Sequence, residues 1–413
     1  MYSNASSIII DAVLAAALIL AIRRGSKRPH LTFNVNFHPI ENKLSGQTFA
    51  EYLRVGMKYG PGSLFHETSE RYSLSFVKWL SAARTCGLVY GDECCQNPPS
   101  YEQAAMAYMW MGMMQCFESN YCQWWGGRPA TENVAQFKAY HRLLMDADYL
   151  PDPVALALSF ETGFAEIGDT LRAPLHTRTA HHYALAHCLR ELNVNPDRYL
   201  LDAFPELDAN VKGRLLVDDI TRSMSADFAA RLEAFVRKGG VYLASLDTDR
   251  LNGHAFLKKL GFTAAELEQA SDTGTAMPAA ERALGAGRVV LLRKAWSFDW
   301  DPGHPEPERR AALALLTRLG GFEPLVQTSH PCVFATPYRA KDGSGLVSLI
   351  NISCADLEVE LTLSRPFAGD KAPRVLDHGT GRELPVVLRD GRWTLNVPVG
   401  RIDTTVLRVS RRN

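Results

Sequence analysis

Leu88-Val-Tyr-Gly-Asp-Glu93 and Ser119-Asn-Tyr-Cys-Gln-Trp-Trp125 flank a stretch of helical character from Tyr101 to Phe117. Each flanking run is short and ends abruptly on polar or aromatic residues, so the pattern predicts strand, helix, strand. A helical crossover of this kind joins parallel strands. In a β/α barrel the C-terminal ends of the strands form the floor of the site. Glu93 stands at one such end, and Trp124 and Trp125 stand at the next. A carboxylate there can attack or stabilise an oxocarbenium-like centre, and an indole face packs on the apolar face of a pyranose ring.

Outward from this unit the alternation continues. A strand from Leu31 to Asn36 precedes a helix from Thr48 to Tyr59, which Gly60-Pro-Gly62 breaks. A second strand, Ser63-Leu-Phe-His-Glu67, runs into Thr68-Ser-Glu70, and a helix from Ser73 to Cys86 stops at Gly87. After the strand at Tyr121 comes a helix from Asn133 to Asp146. Four βα units make half of an eight-unit barrel, or a small open sheet. At the start of the chain Ile8 to Ile22 is apolar except for Asp11, and Arg23, Arg24, Lys27 and Arg28 follow. The run is shorter than the about twenty residues a membrane helix needs. No basic residue comes before it, as one would in a secretory leader. It reads as a buried helix rather than a signal or an anchor, and a buried helix here predicts that further sequence precedes it. The expected location is the cytoplasm.

Bulk composition narrows the class. A chain of 413 residues is long for one core and predicts two or three domains. Lys plus Arg equals Asp plus Glu at 45 each, and no basic block tracks a phosphate backbone, which speaks against a nucleic-acid partner. The eight cysteines include no C-x-x-C pair and read as reduced thiols; Cys94-Cys95 with Cys116 and Cys122 is the only dense group. No cofactor or metal is expected. His181 and His182 are adjacent on a predicted helix, so they point apart and suit a metal poorly.

Pro151-Asp-Pro153 marks a boundary, after which the pattern restarts. Strands are predicted at Val154 to Phe160, Tyr199 to Leu201, Arg214 to Val217 and Val241 to Leu246. Helices are predicted at Thr177 to Leu192 and Ala226 to Lys238. Residues 151–328 thus read as an open doubly wound α/β domain. It has no G-x-G-x-x-G after its first strand and no nucleophile elbow, so neither a dinucleotide nor a hydrolase triad is supported. The polar ends Asp218-Asp219 and Asp247-Thr-Asp249 read as loop caps. From residue 329 on, helix-period patterning is absent and short strands predominate: Leu346 to Asn351, Leu357 to Leu363, Pro385 to Leu388, Trp393 to Val397 and Thr404 to Val409. Arg389-Asp-Gly-Arg392 predicts a hairpin. Residues 329–413 read as a small antiparallel β-sandwich.

Domain order and four segments together resemble the C-terminal part of the family 42 glycoside hydrolases, the retaining β-galactosidases. The segments are CLRELNV (188–194), RYLLD (198–202), GRLLVDD (213–219) and ARLEAFVRKGGVYLAS (230–245). The resemblance implies a partial (β/α) TIM-type barrel over residues 1–150, then a trimerisation domain similar to glutamine amidotransferases, then the β domain. It makes the strands near Leu31, Ser63, Leu88 and Tyr121 the fifth to eighth of the barrel, and Ile8 to Ile22 the fourth helix. It implies that Glu93 is the nucleophile and that Trp124 and Trp125 form the sugar platform; beside them, His66 and the adjacent Glu67 are read from their strand-end position as candidates for contact with substrate. The implied partners are a β-galactoside and two further copies of the chain.

The residues by themselves leave alternatives open. Glu93 also suits a solvated loop carboxylate, the tryptophans suit core packing, and His66 suits a histidine satisfied within the fold. One departure from the family matters. The acid/base glutamate of such barrels follows an asparagine, and no Asn-Glu dipeptide occurs in this sequence. A retaining mechanism needs two carboxylates about 5–5.5 Å apart, and Glu67 and Glu70 are the nearby substitutes. Without a substitute the chain alone is expected to be inactive, and the alternative is a non-catalytic carbohydrate-binding or assembly protein. A membrane-tethered sugar-processing module is the third class, if Ile8 to Ile22 is an anchor.

Overall fold

The structure is a computed structural model. It describes residues 31–35, 62–68, 89–94 and 121–124, isolated residues near 54–58 and 85–87, and then 139–159, 161–162, 189–269, 278–292 and 306–411, single positions apart.

β1 (Leu31–Val35), β2 (Gly62–Thr68), β3 (Val89–Cys94) and β4 (Tyr121–Trp124) pair in parallel in the order β1-β2-β3-β4. Spatial order equals sequence order, as a repeated helical crossover produces. All four strands lie where hydrophobic patterning predicts them. Residues 8–22 and the predicted helix at 101–117 lie outside the described residues; the helix from Thr48 is seen at Arg54, Met57 and Lys58.

The strand β5 (Asp148–Tyr149) is followed by β6 (Val154–Leu158), β7 (Tyr199–Leu201), β8 (Leu215–Ile220), β9 (Val241–Ala244), β10 (Pro278–Leu284) and β11 (Gly287–Leu292). The last six form one sheet in the order β10-β11-β9-β8-β6-β7, parallel except for the β10–β11 hairpin. From β6 the chain winds one way to β7 and the other way to β8 and β9. Helix α1 (Ala226–Arg237) begins at Ser225, whose hydroxyl accepts from the Phe228 amide at 3.1 Å. Its buried stripe of Phe228, Leu232 and Val236 covers Leu216, Tyr242 and Ala244 on one face of the sheet. Two short helices, α2 (Ala255–Lys259) and α3 (Ala264–Gln269), add Phe256, Leu257 and Leu267 to the same core. The longer α4 (Glu306–Gly320) packs against β8, with Gly320 close to Leu215. Residues along β6, β9 and the Leu215–Val217 start of β8 are buried whichever face they take, so these stretches read as continuous apolar runs.

The remaining strands are β12 (Val326–Thr328), β13 (Val333–Arg339), β14 (Gly345–Asn351), β15 (Leu357–Leu363), β16 (Arg374–Asp377), β17 (Glu383–Leu384), β18 (Val387–Arg389), β19 (Arg392–Val399) and β20 (Thr404–Ser410). They make two antiparallel sheets, β12-β15-β19-β18 and β17-β16-β20-β14-β13-β5. One apolar core is shared by both sheets, with Val359, Leu361 and Trp393 from the first and Val347, Leu349 and Leu407 from the second. In β15 the alternation is clean: Val359, Leu361 and Leu363 are buried while Glu358 and Glu360 face outward. The predicted hairpin is present, with Asp390 and Gly391 at φ of 49° and 79° between β18 and β19. One helical turn, α5 (Arg365–Ala368), interrupts a region read as strand only. Its Phe367 is fully buried and fills the space left by Gly345.

β5 joins the terminal sheet rather than the parallel one, pairing Tyr149 with Tyr338 and Asp148 with Arg339. Just before it, Tyr140 and Leu144 pack on Tyr338, Leu346 and Val406. The chain therefore touches this terminal sheet, leaves to build the six-stranded sheet, and returns to it at β13. A buried polar seam closes this path. The Asn193 side chain accepts from the Ala335 amide at 2.7 Å and donates to the Thr328 hydroxyl at 3.1 Å. The Asn195 side chain donates to the Ala335 carbonyl at 3.2 Å and accepts from Arg190, which also reaches the Thr336 hydroxyl at 3.4 Å. Asp152, from the Pro-Asp-Pro boundary, accepts from the Asn195 amide at 2.7 Å.

Burial pushes the Asp152 carboxyl up to about 7, against the hydrogen bonds and the Arg190 charge that lower it. The folded state thus holds a proton that the unfolded chain releases above its ordinary 3.8. That stability is complete below 3.8 and is lost as pH rises through about 7. Asp218, pushed up to about 6 by burial, acts with the same sign. The urea midpoint should therefore fall between pH 5 and pH 8. Asp152→Asn, which keeps an acceptor for the Asn195 amide, should flatten the fall by an amount of at most about 4 kcal/mol. An unchanged pH slope in the variant would show that Asp152 is ionised in the fold.

Candidate active site

Register places the predicted residues in rows across β2, β3 and β4. Glu67 pairs with Glu93, and Glu93 with Gln123. This is the next-to-last row at the C-terminal ends of the three strands. The row before it holds Val35, His66, Asp92 and Cys122; the row after it holds Thr68, Cys94 and Trp124. Successive residues of a strand alternate between the faces of a sheet. Glu67, Glu93 and Gln123 therefore share a face with Phe65, Gly91 and Tyr121, while the rows of His66 and Trp124 belong to the other. Adjacent strands are spaced about 4.8 Å apart, so Glu67 and Glu93 are nearest neighbours across the sheet. The structure brings these two together and sets His66 and Trp124 in different rows. Trp125 and Glu70 lie outside the described residues. Gln123 was not singled out by sequence; only register shows that it continues the row.

A second place for a ligand in such a chain is the point where the winding of the six-stranded sheet reverses, beyond the C-terminal ends of β6 and β8. Here the protein's own groups bridge it. The Thr162 hydroxyl donates to the Ser223 carbonyl at 3.1 Å and accepts from the Ser223 amide at 3.0 Å. Asp218 is half-buried and accepts from the hydroxyls of Thr221, at 2.7 Å, and Thr248. Arg222 pairs with Asp247 at 3.2 Å. Asp249 behaves as the cap expected of it: its carboxylate accepts from the Phe256 amide at 2.8 Å and from Asn252 at 2.7 Å. Asp218 ties two loops together through the same hydroxyls, in keeping with the reading of it as a loop cap. Among the described residues no group of three or more His, Cys, Asp or Glu is arranged to hold a metal. The Cys86 thiol is pushed up to about 12 by burial first and by the Glu206 charge second, which keeps it protonated and unreactive. No helix among the described residues is long and apolar enough to cross a membrane.

No protein-family model and no curated protein matches this sequence. Solved structures do match the fold. A catalytic mutant of Gan42B, a GH42 beta-galactosidase from G. stearothermophilus, superposes with a TM-score of 0.60 at 13% identity over 93% of this chain and 64% of its own. A beta-galactosidase from Rahnella sp. R3 gives 0.59 at 12% identity over 94% and 65%. An alpha-L-fucosidase from Paenibacillus thiaminolyticus gives 0.55 at 13% identity over 87% and 66%. The chain spans 64% of the length of the first of these. Its fold, mixed α/β with several sheets, is that of the GH42 β-galactosidase structures.

Proposed function

We propose that the protein is a retaining glycoside hydrolase of β-galactosidase type, with Glu93 as its nucleophile. The observation that carries this reading is the row of Glu67, Glu93 and Gln123 near the C-terminal ends of three parallel strands. Catalytic groups of β/α enzymes occupy that end. The likeness to GH42 β-galactosidase structures supports the choice of galactosides as substrates. A half-barrel reading of β1–β4 fits their parallel order. The terminal antiparallel sheets then serve as the small β-sandwich domain, and the six-stranded unit as the surface through which three copies assemble.

Glu93 would attack the anomeric carbon as the ionised carboxylate and hold the sugar as an ester until water releases it. An activated 2-deoxy-2-fluoro-galactoside should therefore label the peptide that contains Glu93. Label on another peptide, or none, would remove the assignment. The non-catalytic sugar-binding reading is favoured by one observation, the lack of an Asn-Glu dipeptide; binding of galactose without any label would establish it. For assembly, light scattering of the whole chain at micromolar concentration should give the mass of a trimer, and a monomer would refute the role given to the six-stranded unit.

A further inference from the structure

We propose that Arg339 and Arg411 form a binding site for a tetrahedral dianion, a free sulfate or phosphate ion or a phosphate monoester, beside Phe367 in the terminal antiparallel sheets. The proposal stands independently of the function proposed above.

The place is built by β13, β14, β20 and the helical turn α5. Arg339 ends β13 and pairs with Gly345, which pairs with Val409 of β20; Arg411 follows two residues later. Gly345 carries no side chain, and the buried Phe367 ring takes the space: a Cβ there would lie 2.7 Å from it. The Arg339 guanidinium sits over this ring, 5.4 Å from its centroid, and its Nη1 donates to the Gly343 carbonyl at 3.3 Å. Arg411 donates to the Phe367 carbonyl through Nε at 3.4 Å and Nη2 at 3.2 Å, and through Nη2 to the Pro366 carbonyl at 2.6 Å. Both guanidiniums are thus held against one buried residue.

Neither is paired with a carboxylate among the described residues. Arg374, Arg389, Arg392 and Arg408 in the same sheets each have one at 3.7 Å or closer. Nearby acids are engaged elsewhere: Asp342 accepts from the Ser344 hydroxyl and faces Arg408, Asp146 pairs with Lys341, and Asp370 lies 4.0 Å from Arg365. Burial first, and the Arg411 charge second, hold the Arg339 guanidinium below its ordinary value.

Two like charges fixed near each other oppose one another, and a dianion beside both removes that opposition. A guanidinium is a planar fork of five N–H donors that matches phosphate or sulfate oxygens in pairs. After the bonds above, Nε and Nη2 of Arg339 and Nη1 of Arg411 still have donors to offer. Two cationic groups match a dianion, whereas a monoanion such as acetate leaves one charge uncompensated.

The full chain is titrated calorimetrically with sodium sulfate, phosphate and acetate at constant ionic strength, and with galactose 6-phosphate against galactose. The pH is slightly alkaline, so that phosphate monoesters carry two charges. The dianions should bind saturably, and acetate and galactose should not. Arg339→Gln and Arg411→Gln should each weaken binding about tenfold or more, and the double variant should abolish it. Tighter binding of galactose 6-phosphate than of inorganic phosphate assigns the site to a phosphate monoester, and the reverse to a free ion. A second measurement needs no variant: sulfate should slow phenylglyoxal modification of the peptides carrying Arg339 and Arg411, but not of the one carrying Arg374, which is paired with Glu383. Unsaturable binding, equal affinity in the double variant, or equal protection of Arg374 would overturn the proposal.

Discussion

Glu93→Gln should lower kcat on an activated galactoside on the order of 10⁴–10⁶-fold while leaving KM near its original value. The amide keeps the size of the side chain but offers no anion to the anomeric carbon. The distinguishing result comes from a shorter side chain. In Glu93→Ala, azide can enter the space once held by the carboxylate and attack directly, giving the α-galactosyl azide in a single displacement. Near-normal turnover in Glu93→Gln, or a β-azide from Glu93→Ala, would move the nucleophile to another strand.

The second large effect concerns stability. A methyl group placed on Gly287 would sit 2.1 Å from the Gly240 carbonyl oxygen and 2.2 Å from that of Val236. Both are backbone atoms, one in the turn after α1 and one in the last turn of α1 itself, and the Gly240 carbonyl also accepts from the Arg288 amide at 3.2 Å. Relief requires the hairpin of β10 and β11 to back away from the helix that covers the sheet. Gly287→Ala should cost about 3 kcal/mol, at the upper end for overpacking. Gly253→Ala is the control. Its backbone is left-handed, with φ of +64°, but nothing lies within 4 Å of the added carbon, so the cost is only the about 1 kcal/mol of the conformation. Urea midpoints that rank Gly287→Ala no lower than Gly253→Ala would mean that the hairpin is loosely held.

Apolar patterning made the strands of the six-stranded sheet legible, because β6, the Leu215–Val217 start of β8 and β9 are continuous buried apolar runs. It failed where pattern and environment disagree. β10, Pro-Ala-Ala-Glu-Arg-Ala-Leu, has weak strand formers because it is an edge strand and half exposed. β13 contains Pro337, which ordinarily argues against an inner strand. It is accommodated because β5 pairs with β13 only at Tyr338 and Arg339, so Pro337 needs no amide donor there, while its carbonyl accepts from Leu150 at 3.0 Å. β5 has two residues and carries no periodicity at all. At the candidate site, sequence pointed to Glu93 and to its strand, yet it could not tell that Glu67 lies opposite Glu93 or that Trp124 lies one row further on. Those distinctions depend on register, which is set by pairing between segments far apart in the chain and leaves no local mark.

The double visit of the chain to its terminal sheet orders events during synthesis. β5 emerges from the ribosome first, and β20, which lies in the middle of that sheet between β16 and β14, emerges last. The six-stranded unit is complete in sequence once α4 has appeared and can close on its own as translation proceeds. The terminal sheet is different: β5 can pair with β13 as soon as β13 is released, but until Thr404–Ser410 appears the β14-β13-β5 part and the β16-β17 part have no strand between them. A premature stop just before Thr404 would therefore remove far more than one strand. It would leave β16 and β17 unattached and expose the shared core while the polar seam stays made, giving the cell's quality control a product closed in the middle and open at its C-terminal end.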